Sequence, residues 1–119
     1  MNKYFQVFVT LFVVLNEEWK KNNDQALSIY LSEANPFLAE NGSADPVVYK
    51  DFEKLCLDSK ISPEDGFGYA LALFYLEKLD PYYGDIKKWL LLVGKEAFAK
   101  KAKELSTLSL SEIEEMALK

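Results

Sequence analysis

Apolar side chains fill residues 4–15 almost without a break, and the run ends at Asn16-Glu17-Glu18. A membrane-spanning helix needs about twenty such residues, so this run is too short to cross a bilayer. Lys3 precedes it as in a secretory signal, yet no small-x-small cleavage site follows. Lys3, Gln6, Thr10 and Glu17 fall near one face at helical spacing. The segment is therefore predicted as a helix running on through Trp19 to about Asn22, apolar all round except for a narrow polar stripe. Its β-branched residues favour a strand locally, but the run is long for one.

Asp24 is a helix cap for a second helix through Ala34, with Leu27, Tyr30, Leu31 and Ala34 as its apolar stripe. Asn35-Pro36 ends it, because the residue before proline is pushed out of the helical region. Asn41-Gly42-Ser43 reads as a loop. Asp45-Pro46 opens a third helix that turns Val48, Phe52, Leu55 and Cys56 inward. Ser62-Pro63-Glu64-Asp65 carries the same start signal and leads into residues 67–76, a stretch without charge. A helix over about 63–79, apolar on every face, is expected at the centre of the fold. Asp80-Pro81 ends it, and Asp85 is placed as the cap of a long helix through about Leu105. Ser109-Leu110-Ser111-Glu112 is a capping box ahead of a short acidic helix. The pattern predicts an all-α fold: one domain over residues 1–119, a bundle of five to six helices with short connections.

Composition removes whole chemistries. The chain has no histidine, and all fourteen of its basic residues are lysine. Without imidazole there is no serine or cysteine triad and no helical zinc site. Without arginine there is no bidentate fork for phosphate or guanine. Cys56 is the only cysteine, so no internal disulfide forms, and its place on an inward helix face makes it a core residue. One thiol suits a reducing compartment, and the chain reads as cytoplasmic. Exclusive use of lysine is a habit of AT-rich bacterial coding. The net charge of −5 disfavours general nucleic-acid affinity. That charge is unevenly spread: residues 85–105 carry +3 and the remainder −8.

Neighbouring acids such as Glu17-Glu18, Glu64-Asp65 and Glu114-Glu115 diverge around a helix and do not meet on one proton or metal. No catalytic residue, cofactor site or metal site is assigned, and no nucleic-acid partner. Two surfaces stand out. If the first helix lies at the edge of the bundle, as terminal helices usually do, Phe5, Phe8, Val9, Phe12 and Val13 form an exposed patch. A second copy would cover it in a two-fold dimer, or another protein would. The second surface is an aromatic corner in which Tyr82 and Tyr83 occupy a turn beside Trp89. The reading is a small non-catalytic interaction protein that self-associates. One alternative is a small-ligand binder or enzyme using tyrosine, lysine and carboxylate groups around Tyr82 and Trp89. Another is peripheral membrane attachment through the first helix, which its weakly charged stripe disfavours.

Overall fold

The computed structural model describes residues 1–118. Among them every regular element is helical, and seven α-helices pack around one core in a globule of 33 × 30 × 29 Å. Two short turns, Asp65–Gly68 with left-handed residues inside it and the 3₁₀ turn Pro81–Tyr83, separate α-helices.

Helix α1 (Lys3–Asn22) begins where the Asn2 side chain accepts from the Phe5 amide at 2.8 Å. It ends on Asn23 in the left-handed region at φ 52°, with Lys20 and Lys21 complementing the helix dipole in its last turn. This helix runs through the middle of the molecule. Residues 7–16 are all buried, which closes nearly three full turns, and α1 touches each of the other six helices. Length decides its position: twenty residues rise about 30 Å, enough to cross the whole globule.

The expectation of an exposed patch is therefore overturned. Phe5, Phe8, Val9, Phe12 and Val13 are each 1–3% exposed inside a lone molecule. They cannot form a partner surface, and the arguments for a dimer or a membrane anchor on this helix fall with them. Thr10 of the supposed wet stripe is buried too, its hydroxyl donating to the Gln6 carbonyl at 2.8 Å. Buried Asn16 donates to the Ala117 carbonyl, 3.2 Å away.

Helices α2 (Gln25–Ala34) and α3 (Pro46–Ser59) start as expected. Asp24 caps the Leu27 amide, and Asp45 the Val47 amide, with proline at the first helical position of α3. The central helix expected over 63–79 is not found. Gly66, Phe67 and Gly68 have φ of 61°, 57° and 96°. Three left-handed residues in a row cannot continue a right-handed helix, so α4 is only Tyr69–Glu77. It is apolar all round but too short to traverse the core, and Leu73 and Phe74 are only half-buried. The long helix over 85–105 is also corrected. Gly94, at φ 83° and ψ 161°, breaks it into α5 (Lys87–Val93) and α6 (Lys95–Leu105), and Ile86, not Asp85, sits at the cap of α5. Ser109 and Glu112 complete the anticipated capping box at the head of α7 (Leu110–Ala117).

Aromatic rings join α1 to its neighbours. Phe8 lies 5.1 Å from both Tyr49 and Phe52 of α3, and Phe52 meets Tyr75 of α4 edge-on at 4.8 Å. Tyr75 then receives a hydrogen bond from the Tyr30 hydroxyl of α2 at 3.0 Å. Cys56 is buried as a small core residue, and burial pushes its thiol up to about 12, which leaves no thiolate at neutral pH.

Candidate binding surface

The aromatic corner is assembled by the Asp80-Pro81 turn. The Asp80 carboxylate accepts from the Tyr82 amide at 2.8 Å, and this closes the Pro81–Tyr83 3₁₀ turn between α4 and α5. The turn points its two tyrosines differently. Tyr82 stands 66% exposed, with its ring edge-on to Tyr83 at 5.2 Å. Tyr83 is half-buried, donates to Glu33 at 3.1 Å and packs edge-on against Tyr30. Burial, with the Glu33 carboxylate as both hydrogen-bond acceptor and neighbouring charge, pushes the Tyr83 hydroxyl up to about 12. It is therefore a neutral donor at physiological pH.

Tyr83 forms one end of a groove of about 470 Å³ between α3 and α4. Val48, Leu55, Tyr75 and Leu79 line its apolar parts, and exposed Val47 stands at its edge. Four aspartates surround it: Asp45, Asp51, Asp58 and Asp80, against Lys54 and Lys78. Asp45 and Asp80 are occupied in capping backbone amides. Asp51 and Asp58 meet no lysine within ion-pair distance among the described residues, and Lys78 instead lies over the Phe74 ring at 5.5 Å.

The structure thus brings Tyr82 and Tyr83 together, places only Tyr83 in the lining of the groove, and leaves Trp89 out of it. Trp89 sits half-buried on α5 with the Lys88 ammonium 5.3 Å from its ring, and its indole N–H is enclosed without an acceptor among the described residues. The acids of the groove were not singled out from the sequence, although the signal was present. Val47, Asp51, Lys54 and Asp58 recur at spacings of four, three and four, which is one outward face of α3.

The surface combines apolar area with charge. Tyrosines and aliphatic side chains offer area to desolvate, and carboxylates around them attract cations. Among the described residues, no three potential metal-ligating side chains converge on one point, and no helix is long and apolar enough to cross a membrane. Compared with known protein families, curated proteins and solved structures, the chain matches none of them.

Proposed function

We propose that this protein is a small non-catalytic binding module that docks a basic partner protein on the groove between α3 and α4. The observation that carries the reading is the apolar floor of Val48, Leu55, Tyr75 and Leu79, fringed by Asp51 and Asp58, which form no ion pair among the described residues. Exposed Tyr82 and Val47 extend the same surface outward. Aromatic anchors in a partly desolvated groove supply most of the affinity in such contacts, and the charged fringe supplies approach rate and selectivity. The partner commits to positive charge, since the groove and the whole chain are acidic. A second copy is the poorer occupant. Pairing two identical grooves about a two-fold axis would bring eight aspartates together. A cytoplasmic setting fits the buried, unoxidised Cys56.

The test places a photo-crosslinking side chain at Tyr82 and, as a control, at exposed Lys50. The expected result is one basic protein joined at position 82, absent at position 50, and lost in the Asp51→Lys, Asp58→Lys double variant. Crosslinking to another copy of this chain, to an acidic protein, or equally from both positions would overturn the reading.

A further inference from the structure

On a different face of the molecule, the Gly66-Phe67-Gly68 turn covers a second groove of about 350 Å³. Its construction starts from the glycines. A side chain at Gly68 would collide with Val7 of α1, so only glycine lets the turn settle against the central helix. Gly66 has the Lys95 stem close above it. The residue between them is forced into the left-handed region at φ 57°, where a bulky side chain is rarely held. Phe67 is consequently turned outward, 47% exposed, as a flap over an apolar trough lined by Val7, Val9, Ala102, Leu105 and Ile113. A core-seeking phenyl ring is thus held out of the core by its own backbone.

Charge sets the chemistry of the occupant. Three lysines approach this turn: Lys3, paired with Glu64; Lys95; and Lys103, whose ammonium lies 4.7 Å from the Phe67 ring centroid. The facing acids are Glu64 and Asp65, and Lys103 has no carboxylate partner among the described residues. With Lys3 paired to Glu64, Lys103 is the one side-chain cation in the groove's lining left without a carboxylate partner among the described residues, and it favours an anionic head group. The trough holds roughly a dozen groups the size of water or methylene, at about 30 Å³ each. We infer that this groove binds a small amphipathic carboxylate, its hydrocarbon tail beneath Phe67 and its head group on Lys103.

Decanoate serves as the probe, titrated by NMR into the intact chain, with decanol and decyltrimethylammonium as neutral and cationic partners of the same tail. Decanoate is expected to shift the methyl signals of Val7, Val9 and Ile113 and to bind at least tenfold more tightly than decyltrimethylammonium. Lys103→Glu, an exposed change, is expected to weaken decanoate about tenfold and leave decanol unaffected. Ala102→Phe fills the trough and is expected to abolish binding of all three; if that variant does not fold, the lysine variant still decides. Equal affinity for the anionic and cationic probes, shifts at the Tyr83 groove instead, or no methyl shifts at all would overturn the inference.

Discussion

Replacing Gly68 by alanine tests how closely the turn is seated on α1. At φ 96° the new residue would hold a backbone that costs an L-amino acid about 1–2 kcal/mol. Its Cβ would also lie 2.5 Å from Val7 Cγ2 and 3.1 Å from Cγ1, against an ordinary carbon–carbon separation of about 3.5–4.0 Å. Val7 cannot swing aside, because a β-branched residue on a helix has essentially one side-chain rotamer. Overpacking of this kind costs about 1–3 kcal/mol. Gly68→Ala is therefore expected to lose about 2–5 kcal/mol, from a total of about 5–15 kcal/mol for a domain of this kind. Urea unfolding followed by tryptophan fluorescence reads this as a midpoint lowered by roughly 1–3 M. Val7→Ala removes the colliding methyls, so in that background the same glycine substitution should cost only the backbone share. A double-mutant cycle then gives a coupling of about 1–3 kcal/mol. A loss below about 0.5 kcal/mol in the parent chain, or the same loss in both backgrounds, would refute the collision.

Phe67→Gly and Phe67→Ala both remove the ring, but only glycine accepts φ 57° freely, so the glycine variant should be the more stable by about 1 kcal/mol in thermal or urea unfolding. An alanine variant as stable as the glycine one would show that the left-handed backbone is unstrained. Alkaline stability follows from the buried hydroxyls. Burial, then its contact with Tyr75, raises Tyr30; burial raises Tyr75; and Tyr49 and Tyr83 are pushed up to about 12. These groups stay neutral in the folded chain when they ionise in the unfolded one. Stability is thus full below the ordinary tyrosine value of about 10, except for an onset near pH 9 from Cys56. It then falls by up to about 1.4 kcal/mol per pH unit for each tyrosine still protonated, which pH-dependent urea midpoints measure. A midpoint constant up to pH 11 would contradict this. Finally, Cys56 should resist iodoacetamide in native protein and react promptly in denaturant, and mass spectrometry reads both; native labelling would place the thiol nearer the surface.

Three helix starts were legible because their chemistry is local, whereas those expected at Ser62-Pro63 and Asp85 were not borne out. Asp24, Asp45 and Ser109 each cap with a side chain two or three residues from the amide it serves, and the capping box needs nothing beyond four consecutive residues. Tyr82 and Tyr83 were placed in a turn by Asp80-Pro81 for the same reason. What failed was the choice between two apolar helices for the centre. Residues 4–15 and 67–76 look alike in hydropathy, and the tie is broken by length and by the two glycines around Phe67, which shorten α4 to nine residues. Gly94 similarly divides a continuous apolar stripe that periodicity alone joins. The acidic groove escaped attention because the inward face of α3 was read and its outward face, from Val47 to Asp58, was not. The Phe67 groove depends on residues from α1, the turn, α6 and α7, and no window of neighbouring residues contains that combination.

The hub position of α1 has a consequence for biosynthesis. It is translated before any of the helices that enclose it, so a greasy segment some 30 Å long waits at the ribosome while its wrapping is still being made. Its bonds to Ala117 from Asn16 and Lys20 form only when nearly a hundred further residues have been added. Fragments ending before α6 are expected to aggregate sooner than assemble a native core.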